Sequence, residues 1–183
     1  MRKSQFSRPL ADFGEKLNTL SHYALIVESL GHKSLVWPNE EATQAWATAI
    51  ATNSVLSHAI IELHGNLGAG KTTLVRHLLR ALGVQGRIKS PSYAVVEPHS
   101  APRPEGDLSI SHFDFYRFTD PREWEDAGFR EIFAAPGLKL MEWADNARAA
   151  LPVPDLAIHI HVENDDSRTI NLHAYTQIGQ ALL

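Results

Sequence analysis

One short run of the chain combines the residue types that hold a phosphate chain and a divalent cation. Residues 65–73 read GNLGAGKTT, so Gly65, Gly70, Lys71 and Thr72 match the pattern G-x-x-x-x-G-K-[ST] at every fixed position. Glycine has no Cβ, so such a loop can turn through left-handed conformations and point its N–H groups at an anion. The spacing predicts that Lys71 reaches the β- and γ-phosphates of ATP or GTP and that the Thr72 hydroxyl coordinates Mg²⁺.

The rest of the loop is expected to line the same nucleotide site. A helix that begins near Lys71 adds about half a positive charge at its N-terminus, which favours an anion. Thr73 is expected to donate to the α-phosphate. The predicted nucleotide-binding residues of the loop are Gly65, Asn66, Leu67, Gly68, Ala69, Gly70, Lys71, Thr72 and Thr73.

Two carboxylates at the ends of predicted strands are candidates for the acidic group that such a site needs near its metal. Asp114 follows 109–113 at the end of a predicted strand, and Glu142 ends the apolar run of Leu138, Leu140 and Met141. Because the carboxyl ends of parallel strands converge on the phosphates, one carboxylate is expected to hold Mg²⁺ and the other to orient or deprotonate the attacking water. The residues leave open which does which. The candidate catalytic residues are Lys71, Asp114 and Glu142, and the candidate metal ligands are Thr72, Asp114 and Glu142.

Strand and helix patterns alternate through most of the chain. The expected strands are 35–37, 59–64, 92–96, 108–115, 138–143, 155–162 and 168–174. Asn39 is expected to cap a first helix with Ala42, Trp46, Ala49 and Ile50 on its apolar face, and Gly83 to end a second helix at 71–82. Three shorter helices are expected: one opened by Pro121, one holding Phe129 and one at 144–150. This order predicts an α/β fold of the P-loop NTPase type: a three-layer sandwich with a mainly parallel sheet, helices on both faces and a C-terminal antiparallel hairpin.

The first segment differs from the rest of the chain. Leu17, Leu20, Ala24, Val27 and Leu30 recur at helical spacing, with Gly31 as a stop. The expected division is therefore an N-terminal extension at 1–34, helical or mobile, and a nucleotide-binding domain at 35–183.

Composition excludes several classes of site. The net charge of −4 argues against a broad nucleic-acid-binding face, and the absence of cysteine excludes disulfides, thiolate nucleophiles and cysteine-bound zinc. His159 and His161 would share one face of a strand, either as metal ligands or as solvent-facing residues. The sequence holds neither a signal-peptide apolar core nor a run of the ~18 apolar residues that a membrane span needs. We therefore expect a cytoplasmic protein without membrane association.

Four motifs in a fixed order resemble the bacterial tRNA threonylcarbamoyladenosine biosynthesis ATPase, the TsaE or YjeE family. They are GNLGAGKTT at 65–73, SPSY at 90–93, HFDFYR at 112–117 and EW at 142–143, and the resemblance extends over about 35–174. The family pattern usually has threonine where Ser92 stands, and serine keeps the hydroxyl.

The resemblance implies a Mg²⁺-dependent ATPase that works with a threonylcarbamoyl transferase subunit and the paralogous companion of that subunit. The complex would modify the adenosine beside the anticodon of tRNAs that read ANN codons, so tRNA would be met indirectly. The resemblance also implies that Asp114 is the Walker B-like acid, that Glu142 lies near the metal, that residues 90–93 form a switch-like loop and that Thr43 lies near the nucleotide base.

Two other classes of nucleotide-binding protein remain open. A small-molecule kinase would pass the γ-phosphoryl group to a metabolite, usually beneath an arginine-rich lid, whereas the arginines here are dispersed. A guanine-nucleotide switch usually carries an N-K-x-D run, which this sequence lacks. The kinase is the principal alternative.

Overall fold

The computed structural model describes residues 28–119 and 128–183, which form one mixed sheet with helices on both faces. Its strands are β1 (Gly31–Trp37), β2 (Ile60–His64), β3 (Val96–Ala101), β4 (Leu108–Asp114), β5 (Leu138–Glu142), β6 (Leu156–Val162) and β7 (Arg168–Ala174). Its helices are α1 (Glu40–Ala51), α2 (Lys71–Ala81), α3 (Phe129–Ala134) and α4 (Gln177–Ala181), with 3₁₀ turns at Ser54–His58 and Ala144–Ala147.

The strand order is β1-β7-β6-β2-β5-β4-β3. The four central strands β6, β2, β5 and β4 run parallel, while β1, β7 and β3 pair antiparallel. The expectation of a mainly parallel sheet therefore holds for the centre and fails at the edges, so the sheet is mixed. The predicted C-terminal antiparallel hairpin is confirmed as β6 and β7.

Each face of the sheet buries a different set of side chains. One apolar cluster joins α1 and α2 to alternate residues of the strands, and its largest members include Leu63, Leu74, Leu79, Ile110 and Leu140. The other face packs α3 and the turn at Ala144–Ala147 against an aromatic cluster built around Phe113, Phe115 and Met141. The period-two alternation of β4 and β5 thus sends Ile110 and Leu140 to one face and Phe113 and Met141 to the other.

Most predicted elements are confirmed, with one correction inside α1. The Asn39 side chain accepts a hydrogen bond from the Ala42 N–H at 3.0 Å, as its capping role requires. The fully buried residues of α1 are Thr43, Ala47 and Ile50, whereas Ala49 is exposed. Gly83 takes φ 98°, the left-handed C′ residue predicted after α2.

The strand predicted at 92–96 is wrong. Residues 92–94 form a turn, and β3 begins only at Val96 and runs to Ala101. The Val95 N–H bonds to the Pro91 carbonyl, and Val95 itself lies at φ 64°, which an extended strand cannot accommodate. Pro98 is tolerated within β3 because β3 is an edge strand.

The two ends of the described chain also differ from expectation. β1 begins at Gly31 rather than 35, because Gly31 already pairs with Ala174 of β7. Helix α4 was not predicted. The helical stretch expected from Leu17 to Leu30 lies outside the described residues as far as residue 27, and residues 28–30 are not helical. The helix expected at Pro121 also lies outside the described residues. None of the helices found in 28–119 and 128–183 is long and apolar enough to cross a membrane.

Candidate functional site

The glycine loop connects β2 to α2 and takes conformations that require glycine. Gly65, Gly68 and Gly70 have φ values of 145°, 81° and 111°. A Cβ on Gly65 would lie 2.6 Å from the Ile160 carbonyl oxygen, so that position is also crowded by β6. Cβ atoms on Gly68 and Gly70 would meet nothing within 4 Å, so at these two positions the left-handed backbone alone demands glycine.

Lys71 is the first residue of α2 and is buried. Its Nζ donates to the carbonyl oxygens of Gly65 at 2.7 Å and Asn66 at 3.0 Å, and lies 4.0 Å from the centroid of the Trp143 ring. Burial lowers the pKa of Lys71, while the charges of Glu142 and Asp114 oppose that shift. The ammonium therefore lies against the loop and donates to neutral carbonyl oxygens. Phosphate oxygens could replace these acceptors.

Glu142, the last residue of β5, meets Thr72 at the start of α2. The Thr72 Oγ1 lies 2.9 Å from one Glu142 carboxylate oxygen and 3.0 Å from the other. On the opposite side, the Nε2 of His112 lies 2.9 Å from Glu142 Oε1. Glu142 is 2% exposed and His112 is 0% exposed, so this carboxylate is removed from bulk water.

Asp114, the last residue of β4, is held by the segment before β3. The hydroxyls of Ser90 and Ser92 both donate to Asp114 Oδ2, the latter at 3.0 Å, while Asp114 Oδ1 accepts from the Tyr116 N–H at 2.9 Å. Asp114 pairs in register with Glu142, so the two carboxylates end neighbouring parallel strands, as predicted. Ser92 lies in the turn found where a strand was predicted, and Ser90 lies just before that turn.

One pocket of about 360 Å³ collects most of these groups. Its walls are Leu67, Gly68, Gly70, Lys71, Thr72, Thr73, Ser90, Ser92, Tyr93, Asp114, Tyr116, Arg117, Glu142 and Trp143. A smaller pocket of about 90 Å³ shares Gly68, Gly70 and Thr73 with it and adds Thr43 of α1, Ala69 and Arg168. Gly65 and Asn66 line a third pocket, beside β6. All the predicted site residues therefore lie around the glycine loop.

Three contacts of the site were missed by sequence reasoning. His112 contacts Glu142, the Arg117 guanidinium lies 4.5 Å from the Tyr93 ring centroid, and Trp143 covers Lys71. The period of two along β4 puts His112 on the same face as Asp114, which was the available signal for the first contact. The other two depend on loop conformations that the sequence pattern does not specify.

The chemistry of the donors fits Mg²⁺ and a triphosphate. Thr72, Glu142 and Asp114 offer the hard oxygen ligands that Mg²⁺ takes, and Mg²⁺ in proteins usually has few protein ligands and completes its shell with water and phosphate oxygens. Residues 28–119 and 128–183 hold no group of three or more His, Asp or Glu in a metal-binding arrangement. The loop N–H groups and Lys71 supply the complementary positive charge.

His159 and His161 follow the predicted strand but differ in their surroundings. The His159 ring stacks on that of His64 with centroids 4.5 Å apart, and His161 is exposed. Burial, followed by the charges of neighbouring histidines such as His64 and His173, lowers the pKa of His159 to about 4. Of the two alternatives, the solvent-facing one therefore describes His161, whereas His159 is half-buried against His64.

Similarity to known proteins extends over most of the chain. The model of the family described as threonylcarbamoyl adenosine biosynthesis protein TsaE matches residues 37–170. The tRNA threonylcarbamoyladenosine biosynthesis protein TsaE of Haemophilus influenzae is 40% identical over 124 residues, which is 68% of this chain and 75% of that protein. Its counterpart in Bacillus subtilis is 35% identical over 149 residues, which is 80% of this chain and 88% of that protein.

A solved structure shares the fold as well. The crystal structure of YdiB from Bacillus subtilis superposes with a TM-score of 0.64 at 27% identity, covering 83% of this chain and 91% of that one. The matched range 37–170 contains the glycine loop, Asp114 and Glu142. The chain therefore belongs to the TsaE family.

Proposed function

We propose that this protein is a Mg²⁺-dependent ATPase of the P-loop fold that supports formation of threonylcarbamoyladenosine in tRNA. The observation that carries the proposal is the contact of Thr72 with both oxygens of the buried Glu142, directly beside the loop that holds Lys71. A glycine turn with a purely structural role has no need for a hydroxyl, a carboxylate and an ammonium buried together.

In the proposed reaction the start of α2 binds the phosphates. The loop N–H groups and the helix N-terminus attract the anion, and Lys71 exchanges the carbonyls of Gly65 and Asn66 for phosphate oxygens. Bound Mg²⁺ would neutralise charge that develops on the phosphate oxygens. We propose Thr72 and Glu142 as the residues that would hold it, and their contact at the pocket wall supports this assignment.

Asp114 then takes the second acidic role. The hydroxyls of Ser90 and Ser92 and the Tyr116 N–H fix both of its oxygens. A carboxylate fixed in this way can orient the water that attacks the γ-phosphate. The segment 90–93 would follow the state of the nucleotide, since it is tied to the site through Asp114.

The smaller pocket with Thr43 is the proposed place of the base, because it continues from the loop at Gly68, Gly70 and Thr73. Family membership supports tRNA modification as the process that hydrolysis would serve. We propose the threonylcarbamoyl transferase subunit and its paralogous companion as partners, in the cytoplasm. The ATPase would drive their turnover on ANN-decoding tRNAs and contact the tRNA only through them.

The test measures phosphate release from ATP and from GTP, with and without the two partners. We expect Mg²⁺-dependent release from ATP, and a loss of roughly 10²-fold or more in Lys71→Ala, because a charge placed at the transferring phosphate is removed. Lys33→Ala, which changes an exposed lysine of β1, is the matched control and should hydrolyse ATP normally.

Unchanged hydrolysis in Lys71→Ala would contradict the proposal. Rapid transfer of the γ-phosphoryl group to a metabolite in place of water would identify the kinase instead. Absence of Mg²⁺-dependent heat on titration with either nucleotide, even with both partners present, would remove the nucleotide site altogether.

A further inference from the structure

His112 is a buried polar residue that is only partly satisfied. Its Nε2 lies 2.9 Å from Glu142 Oε1, and its ring is 0% exposed. Its other nitrogen, Nδ1, is buried and has no hydrogen-bond partner among the described residues. The ring of His99 on β3 has its centroid 6.5 Å away and also holds an unpartnered buried nitrogen, Nε2.

An unpartnered buried nitrogen destabilises the folded state, because the nitrogen has lost water and gained no replacement. The strand position of His112 continues the row of Leu108 and Ile110, which are buried apolar residues on the face that packs against α2. An apolar side chain at this position would avoid that cost, but it would take one hydrogen-bond partner from Glu142. In return for this cost, the imidazole forms one hydrogen bond, with Glu142.

We propose that His112 is a positioning residue that holds the Glu142 carboxylate in place for the metal. An ionised carboxylate only accepts hydrogen bonds, so the Nε2–H of His112 donates to Oε1. The same carboxylate accepts from the Thr72 hydroxyl, which turns the lone pairs of Thr72 Oγ1 away from Glu142 and toward the pocket. A chain of hydrogen bonds thus runs from β4 through the end of β5 to the start of α2.

This arrangement matters because outer partners decide how accurately a metal-binding oxygen is held. Loss of such a partner typically costs roughly 10- to 100-fold in metal affinity or activity. The inference rests on the proposed function, since it assigns His112 to the carboxylate that we propose for Mg²⁺. The hydrogen bond itself can be tested without nucleotide.

The first experiment uses ¹⁵N-labelled full-length protein without nucleotide. We expect one imidazole N–H resonance that exchanges slowly with water, because the His112 ring is fully buried. It should disappear in His112→Gln and shift in Glu142→Gln, while His173→Leu, which removes a half-buried histidine of β7, should leave it in place. An imidazole resonance indifferent to Glu142→Gln would overturn the proposed bond.

The second experiment separates positioning from packing. We expect His112→Leu to lower kcat for Mg²⁺-ATP by roughly 10- to 100-fold while its resistance to urea stays near that of the wild type, because removal of the unpartnered Nδ1 offsets the loss of one donor to Glu142. His112→Gln, whose amide can donate from a similar place, should recover part of kcat, and His173→Leu should match the wild type.

Wild-type kcat in His112→Leu would refute the positioning role. So would equal losses of activity and of stability in both His112 variants, because that result describes a packing residue. If the wild type itself neither binds nor hydrolyses ATP, the proposed function fails, whereas the nucleotide-free resonance still decides whether His112 holds Glu142.

Discussion

Glu62 and Glu142 are two buried glutamates on neighbouring parallel strands, and they are 1% and 2% exposed. Glu142 pairs in register with Leu63, the residue after Glu62, so the two carboxylates point to opposite faces of the sheet. Each carboxylate also contacts one histidine: His64 Nε2 lies 3.0 Å from Glu62, and His112 Nε2 lies 2.9 Å from Glu142.

Their remaining partners differ. Both guanidinium nitrogens of Arg148 reach Glu62, at 2.6 and 2.7 Å, and Asp145 lies 3.2 Å from the same guanidinium. Burial by itself would raise the pKa of Glu62, but hydrogen bonds from His64 and Arg148 bring that pKa below its usual value. Within 28–119 and 128–183, Glu142 meets no lysine or arginine at ion-pair distance and has only Thr72 and His112 as polar contacts.

The difference separates, at equal burial, a carboxylate paired within the fold from the one that we propose for the metal. The charge of Glu62 is met by a fixed cation of the chain, and this pair fastens β2 to the turn that follows Trp143. Glu142 has no such cation at ion-pair distance among the described residues, and its direct contacts are the Thr72 hydroxyl and the His112 ring, which leaves room for a cation from solution. Burial alone would have ranked the two residues together.

Arg148→Leu tests the structural side of the comparison and has the largest expected effect. It leaves Glu62 buried without its cation, which should lower the free energy of unfolding by about 3 kcal/mol, the lower end for a broken buried pair because Arg148 is half exposed. Urea unfolding measures this change. The double variant Glu62→Leu with Arg148→Leu should regain part of the loss, and equal losses in the two variants would show that Glu62 is not the reason.

Glu142→Gln tests the functional side. We expect hydrolysis to fall by ~10²-fold with no loss of resistance to urea, because the amide keeps an acceptor for Thr72 and loses the charge for the metal. Glu62→Gln is the matched control on β2, with the opposite outcome: lower stability and unchanged hydrolysis per folded molecule. Equal changes of stability and of hydrolysis in the two variants would contradict the proposed difference between the two glutamates.

His159→Gln changes a histidine of β6 whose ring stacks on His64, the histidine that contacts Glu62. It has the smallest expected effect. The pKa of His159 is about 4 in the folded protein and 6.5 by ordinary value, so only the unfolded chain gains this proton between those values. Stability should therefore fall as the pH drops from 6.5 towards 4, by about 1–2 kcal/mol once solvent screening is allowed for.

The measurement compares urea unfolding of the wild type and His159→Gln between pH 7 and pH 5. Glu62 should not interfere between pH 7 and pH 5, because its pKa is lowered. Its carboxylate is protonated, and its contribution to stability lost, only under more acidic conditions. The variant should lose less stability over this range than the wild type does. Parallel curves would assign the pH dependence to other groups.

The parts of the molecule governed by local rules could be predicted from the sequence. Asn39 could be recognised as a cap, Gly83 as a helix end, and 65–73 as a left-handed glycine loop, since each depends on residues within one turn. Strand ends at Asp114 and Glu142 followed from period-two patterns. Their adjacency followed from assuming that the strands run parallel, which holds in the centre of the sheet.

Features that depend on distant contacts could not be predicted in this way. The turn at Ser92 exists because hydroxyls of that segment bond to Asp114, which lies 22 residues later in the chain. The antiparallel edge at β1 depends on pairing β1 with β7, from opposite ends of the domain. The pairing of Glu62 with Arg148 spans 86 residues and leaves no periodic signal in the sequence.

The proline of β3 has a consequence for how copies of the protein meet one another. The Asp114 N–H bonds to the Val95 carbonyl, and antiparallel ladders alternate, so the backbone groups of residue 98 point outward from the sheet. Because proline has no N–H, the exposed edge of β3 lacks a hydrogen-bond donor at Pro98. A strand of a second copy that approached this edge would find the ladder interrupted, which disfavours edge-to-edge polymerisation.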